Sequence, residues 1–321
     1  MEYPELAART RRFSFGAPRA LAVASDGSRV AFLRSTGPED PADRLYVFDV
    51  SSGTERLVAD PAELLGDSGE LPPEERALRE RLRLSASGIG SYAIDPAATV
   101  ASFALAGKLF RADLRTGTVR EVPTAGPVID PRPDPTGNRI AYVTGGALRV
   151  AEPDALIAGE DGLTWGLAEF IGAEEFGRFR GYWWSPDGRT LLAARVDETR
   201  VSKWTLHDPS TPAAPPRTIA YPYAGSPNAE VTLHLLDLDG GWVDVHWDRE
   251  TYPYLVSVSW SELGGPLITV LRRLQQHGLV LAIDPRTGET QVHAELADPR
   301  WVGPVPGTPA YLGDGRVLVG G

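Results

Sequence analysis

The sequence predicts an all-β fold, specifically a β-propeller of four-stranded antiparallel blades, and three observations carry that expectation. A turn around Asp-Gly or Asp-Pro, followed by a short alternating apolar run, recurs along the chain. A strand closed by a Thr-Gly or Ser-Gly turn follows several of its copies. Finally, 34 glycines and 28 prolines are spread through 321 residues, which suits many tight turns and leaves little room for long helices.

The first unit appears as Asp26-Gly27-Ser28-Arg29-Val30-Ala31-Phe32 and again as Asp134-Pro135-Thr136-Gly137-Asn138-Arg139-Ile140-Ala141-Tyr142. It returns as Asp187-Gly188-Arg189-Thr190-Leu191-Leu192-Ala193 and as Asp314-Gly315-Arg316-Val317-Leu318. Asp95-Pro96 before Val100-Ala101-Ser102-Phe103 is a degenerate copy. Glycine tolerates the positive φ of a tight hairpin, and the alternating residues after it suit a half-buried strand. The second unit reads Leu45-Tyr46-Val47-Phe48-Asp49 before Ser52-Gly53-Thr54, with copies at Leu109–Asp113 before Thr116-Gly117-Thr118 and at Leu279–Asp284 before Thr287-Gly288.

Two hairpins in succession make a four-stranded sheet, and such sheets arranged radially make a propeller. Residues 1–321 read as one such domain holding about five to six blades' worth of strands, an incomplete ring. A β-sandwich uses similar turns and is the alternative, but it has no reason to repeat paired hairpins. Unequal spacing of the copies points to insertions. Residues 72–84, PPEERALRERLRL, begin with Pro-Pro and continue with strong helix formers, which predicts a charged helix. Residues 165–179 place Leu167, Phe170, Ile171 and Phe176 at near-helical intervals, which predicts a second. The Pro-rich stretch 206–225 is expected to project as an extended arm. The chain stops at Gly-Gly after a fresh Asp-Gly turn and strand, so it reads as unfinished.

Composition narrows the function. A net charge of −11 argues against nucleic-acid binding, which needs clustered basic residues, and favours cationic ligands such as a peptide's terminal ammonium. The absence of cysteine rules out thiolate catalysis and Cys-ligated metals. Met1 to Phe15 contain no apolar h-region and no run approaches 18 apolar residues, so no membrane association and a cytoplasmic location are expected. His207, His234, His246, His277 and His293 show no ligand spacing, and no phosphate loop or dinucleotide fingerprint occurs, so neither metal nor cofactor is expected. No G-x-S-x-G nucleophile elbow occurs either. Gly66-Asp67-Ser68-Gly69 echoes another protease signature but lies in a loop with no histidine nearby in sequence.

The pair Glu174-Glu175 is the feature closest to chemistry. Two long carboxylates can converge on a primary ammonium, accept its three donors and balance its charge. Glu-Glu alone equally suits a solvated helix face. Residues 168–188, AEFIGAEEFGRFRGYWWSPDG, resemble the segment of the dipeptidyl peptidase IV family that carries its double-glutamate motif, in the form closest to dipeptidyl peptidases 8 and 9. That resemblance implies that Glu174 and Glu175 clamp the free N-terminus of a peptide substrate from a short helix inserted in a blade, with Tyr182-Trp183-Trp184 starting the supporting strand. Residues 79–95, RERLRLSASGIGSYAID, resemble the segment whose arginine binds the substrate backbone carbonyl. By distance from Ser91-Tyr92 the matching residue is Arg83, with Arg81 as a substitute. Residues 206–225 resemble the family's projecting arm, which implies a homodimer, and 246–260 with the 279–292 hairpin resemble its later blades.

The family belongs to the prolyl oligopeptidase group of serine peptidases, so the resemblance implies a downstream α/β-hydrolase domain with a Ser-Asp-His triad. This chain lacks that domain and alone should be inactive. The expected role is a substrate-gating and N-terminus-anchoring propeller of a dipeptidyl aminopeptidase releasing Xaa-Pro or Xaa-Ala dipeptides. The alternatives are a stand-alone propeller that binds proteins or peptides without catalysis, and an endopeptidase or acyl-peptide hydrolase of the same superfamily. A blocked or internal substrate has no ammonium to clamp, which disfavours the last.

Overall fold

Every Asp turn of the first kind closes the first hairpin of a sheet, and every turn of the second kind closes the last. In the computed structural model, which describes residues 2–65, 87–210, 212–213 and 215–320, the chain forms two compact units, Met1–Leu156 and Ile157–Gly321.

The first unit opens with the short helix α1 (Tyr3–Arg9). Its first sheet runs in order β1 (Arg19–Val23), β2 (Arg29–Arg34), β3 (Ala42–Asp49) and β4 (Thr54–Ala59), all antiparallel. Helix α2 (Pro61–Leu65) follows, and β5 (Ser87–Gly88) returns parallel to the start of β3. The helix expected over 72–84, and Arg83 within it, lie outside the described residues. The second sheet is β6 (Ala93–Ile94), β7 (Val100–Leu105), β8 (Lys108–Asp113) and β9 (Val119–Val122). The third is β10 (Ile129–Pro133), β11 (Ile140–Thr144), β12 (Ala147–Ala151) and β13 (Ala155–Ala158).

The turn chemistry is local. Asp134 Oδ1 accepts the Asn138 amide at 2.9 Å, and Gly137 takes φ +71° between β10 and β11. Between β8 and β9, Asp113 Oδ1 accepts the amides of Arg115 (2.7 Å) and Thr116 (2.9 Å) while Gly117 sits at φ +82°. A β-branched residue at either glycine would be held in a strained conformation.

Burial separates blades from a sandwich. The second sheet is covered on both faces. Ala101, Phe103, Leu105, Phe110 and Ala112 pack against Leu33, Leu45 and Val47 of the first sheet, with the Phe103 and Phe110 rings stacked at 5.5 Å. From the opposite face, Ala104 and Leu109 meet Ile140 and Tyr142 of the third sheet, and Ser102 donates to the Pro131 carbonyl at 2.9 Å. A sandwich sheet has one solvated face and reads as apolar-polar alternation; a sheet between two neighbours is apolar on both, as β7 is. Fully burying a residue such as Phe103 contributes about 1.5–3 kcal/mol.

In the second unit the fourth sheet is built on β16 (Thr190–Asp197). On one side it pairs with β14 (Thr164–Trp165) and β15 (Tyr182–Trp184), and on the other with β19 (Glu230–Asp237), which β20 (Trp242–Asp244) extends. The fifth sheet is β21 (Tyr254–Ser261), β22 (Gly264–Leu271), β23 (His277–Ile283) and β24 (Thr290–Ala297), and the hairpin β25 (Ala310–Tyr311) and β26 (Val317–Leu318) follows. The fifth sheet opens on a Ser261–Gly264 turn without the Asp signature, which is why the Asp-turn repeat skips a copy between Asp187 and Asp314. Leu192, Ala194 and Leu233 of the fourth sheet pack on Leu255, Ile268 and Val270 of the fifth. Described residues thus hold five β-propeller blades and, after the fifth, the start of a further sheet, within the expected range.

Two expectations are modified. The helix predicted over 165–179 shortens to α3 (Phe170–Glu174). Trp165 is drawn into β14, where it pairs with Arg195 and is fully buried; Leu167 bridges Arg180, and Gly177 at φ +65° follows the helix. Strand pairing outweighs helical spacing there. The stretch expected as an extended arm forms a hairpin, β17 (Lys203–Leu206) with β18 (Arg217–Ala220), whose first strand is exposed throughout.

Edge strand β20 is held by an aromatic cage. His234 lies between the rings of Trp165 (5.0 Å) and Trp242 (4.8 Å). Its Nδ1 meets Asp244 Oδ1 at 2.8 Å, and its Nε2 meets Thr232 Oγ1 at 2.7 Å. The Trp242 indole also donates to Asp244, at 2.6 Å. Burial holds the imidazole pKa below its usual 6.5, outweighing the pull of the Asp244 carboxylate in the other direction.

Candidate functional site

The insertion between β14 and β15 presents the glutamate pair, and it is pinned from beneath. Glu169 caps α3, its Oε1 accepting the Gly172 amide at 3.1 Å. Its other oxygen receives Arg178 Nη2 at 2.6 Å, with both side chains about 95% buried. Arg178 also donates to the carbonyls of Leu255 and Arg180, at 3.2 Å each. A Cβ on Gly172 would stand 2.5 Å from Arg178 Nη2, so only glycine lets this guanidinium cross beneath the helix. Gly181 is equally constrained, since its Cβ would meet the Leu167 backbone nitrogen at 2.5 Å. Ile171 and Phe176 pack on the Tyr254–Val256 patch of the fifth blade, the Phe176 and Tyr254 rings meeting edge-on at 5.6 Å. Phe170 meets Tyr221, at the end of the arm hairpin, at 5.1 Å.

Above this frame Glu174 ends the helix and Glu175 is its C-cap. Both are exposed, and among the described residues neither carboxylate has a hydrogen-bond or ion-pair partner. Elsewhere the chain pairs its glutamates freely: Glu39, Glu55, Glu121, Glu152, Glu160 and Glu230 each meet an arginine or lysine. The nearby arginines are committed inward. Arg178 is neutralised by Glu169, and Arg180 donates to the Tyr182 carbonyl at 2.9 Å with its guanidinium 5.3 Å from the Trp183 ring centre. A helix C-terminus is the negative end of its dipole, and no basic residue occupies the last turn of α3. The two carboxylates therefore lie side by side at the negative end of the helix with no basic partner among the described residues, which suits a cation.

Tyr182-Trp183-Trp184 form β15 as expected, all buried and paired with Leu191 to Ala193 of β16. Glu174 and Glu175 are brought together on one support; Arg83 and Gly66-Asp67-Ser68-Gly69 lie outside the described residues. The pair Glu169–Arg178 escaped sequence reading. Its only trace was an acidic residue three positions before a glycine at a helix start, with an arginine nine residues on. Among the described residues no helix is long and apolar enough to cross a membrane.

Comparison with known proteins agrees with this architecture. The model of the family described as "Dipeptidyl peptidase IV (DPP IV) N-terminal region" matches residues 101–317. Dipeptidyl peptidase 4 of Felis catus is 28% identical over 216 residues, 57% of this chain and 28% of that protein. A probable dipeptidyl-aminopeptidase B of Penicillium rubens is 29% identical over 182 residues, covering 49% of the chain and 20% of the relative. Dipeptidyl peptidase 8 of Mus musculus is 28% identical over 149 residues, or 39% and 17%. The chain thus spans less than a third of the curated relatives it matches. Among solved structures, dipeptidyl peptidase 4 of Porphyromonas gingivalis superposes with a TM-score of 0.72 at 17% identity, over 94% of this chain and 43% of that one, which shows a shared fold. With more than half of the chain inside the family model, the protein belongs to the dipeptidyl peptidase IV N-terminal region family.

Proposed function

We propose that this chain is the substrate-gating, N-terminus-anchoring propeller of a serine dipeptidyl aminopeptidase that releases Xaa-Pro or Xaa-Ala dipeptides. One observation carries the proposal: among the described residues, two exposed, unpartnered carboxylates stand at the end of a helix pinned by a buried, mutually satisfied ion pair, Glu169–Arg178. Such a pair can take the ammonium of a peptide N-terminus, with three donors shared between two acceptors. Arg83 would take the first carbonyl. With both ends of the first residue fixed, the second peptide bond is the one presented to a serine from a downstream α/β-hydrolase domain, so the clamp counts two residues. The arm hairpin would supply a homodimer contact, and the cytoplasm is the proposed site of action, after the resemblance to dipeptidyl peptidases 8 and 9.

The test is kinetic, on the complete enzyme with a chromogenic Gly-Pro substrate. Glu174→Gln and Glu175→Ala are each expected to lower kcat/KM about 100-fold, since truncating one partner of a hydrogen-bonded charge pair costs about 2–5 kcal/mol. An N-acetylated substrate should be turned over no better by the parent than by the variants. Unchanged kinetics in both variants would remove the clamp.

A non-catalytic peptide-binding propeller is the second reading. It is favoured by two relatives: "Inactive dipeptidyl peptidase 10" of Rattus norvegicus and of Mus musculus are each 25% identical over 169 residues, 49% of this chain. Failure of the full-length protein to react with a fluorophosphonate, with free-amine peptides still bound, would decide for this reading.

A further inference from the structure

An arginine-lined cavity of about 470 Å³ lies in the first unit, where the β3–β4 turn faces the β8–β9 turn. Arg29, Arg56 and Arg115 line it, together with Asp49, Thr54 and Leu114. In a protein of net charge −11, whose arginines are paired with carboxylates at thirteen positions from Arg9 to Arg316, none of these three forms an ion pair among the described residues.

The cause is visible in the turns. Asp49 shares the cavity as its one carboxylate, held at a pKa of about 2 by the Ser51 hydroxyl (2.7 Å) and the Ser52 amide (2.9 Å) and hydroxyl (3.0 Å) on its Oδ1, with a smaller contribution from the Arg29 charge, so three guanidinium groups face a single negative charge. Arg56 spends Nη2 on neutral acceptors, the carbonyls of Leu114 at 2.7 Å and Arg115 at 3.2 Å. Those bonds fix its guanidinium without neutralising it. Its Nη1 lies against Gly117, where any Cβ would collide with it. One cation is therefore pre-positioned, and Arg29 and Arg115 flank it.

We propose that this cavity binds the phosphate groups of a small molecule, a diphosphate or triphosphate. Guanidinium forks match phosphate oxygens two at a time, and three of them balance more negative charge than one carboxylate contributes. The volume lies within the range of small-ligand pockets and exceeds what a single phosphate fills.

Isothermal titration of the chain with pyrophosphate, ADP and citrate, at matched ionic strength, tests it. Pyrophosphate is expected to bind once per chain, with Arg29→Ala and Arg115→Ala each weakening it about tenfold and the remote Arg300→Ala leaving it unchanged. Circular dichroism of the variants checks folding, and Arg56 is left intact because it ties two turns together. ADP binding tighter than pyrophosphate identifies a nucleotide, and equal binding identifies an inorganic polyphosphate; either supports the site. Absence of pyrophosphate binding, retention of it in both folded variants, or tighter binding of citrate overturns the proposal.

Discussion

Glu169 shows how a residue with no proposed contact to substrate governs two that have one. Its carboxylate caps α3 and neutralises Arg178, and both partners are nearly sealed from water. Replacing it with Ala leaves a guanidinium buried and unpaired, which costs about 3–5 kcal/mol. Glu169→Ala should lower the urea midpoint accordingly, and Glu174→Ala, at an exposed and unpaired position, should leave it within about 0.5 kcal/mol of the parent. Equal midpoints for the two variants would show that the buried pair does not hold the helix. Gly172→Ala acts on the same frame through the steric conflict with Arg178 and is expected to resemble Glu169→Ala. Sequence inspection reached the exposed glutamates only through resemblance to a family, because Glu-Glu has no distinctive local chemistry. It missed Glu169–Arg178 because the eight residues between them carry no sign that the two side chains meet.

Among the elements, turns were legible and edges were not. Asp-Gly and Thr-Gly turns bind their own amides, so their signal is local and the structure returns it at the predicted hairpins. The helix expected over 165–179 is shorter because Trp165 pairs with β16 and Leu167 bridges Arg180 instead of following the local spacing. Edge strand β20 depends on a group no pattern reveals, the caged His234. Its folded-state pKa lies below 6.5, so between the two values the unfolded chain binds more protons. Its stabilising effect is full above pH 6.5 and is lost as the pH falls through 6.5 towards the folded value. Asp244, whose pKa is lowered by the Trp242 and His234 hydrogen bonds, adds a further loss at more acid pH, below the usual 3.8. Chemical denaturation between pH 8 and 5.5 should show the first loss in the parent and not in His234→Gln. A slope of the same size in the variant would assign it to other groups.

Across the whole molecule, charge and packing pull in opposite directions. The second blade is apolar on both faces, and Phe103→Ala, at 0% exposure, is expected to cost about 3–5 kcal/mol through the cavity it leaves. Against this, 43 acidic residues oppose 32 basic ones, and the excess repels itself. Melting temperature should therefore rise between 10 and 300 mM sodium chloride, where the screening length drops from about 30 Å to below 8 Å. A fall would mean that exposed arginine–carboxylate pairs contribute more than the net repulsion removes.

Arg178 donates to the carbonyl of Leu255, which belongs to the sheet after the one that carries the glutamates. That bond makes the acidic tip report on two sheets at once: widening the gap between the fourth and fifth blades would lengthen a hydrogen bond from the same guanidinium that Glu169 neutralises, so the glutamates are coupled mechanically to the fifth blade's first strand as well as to their own sheet.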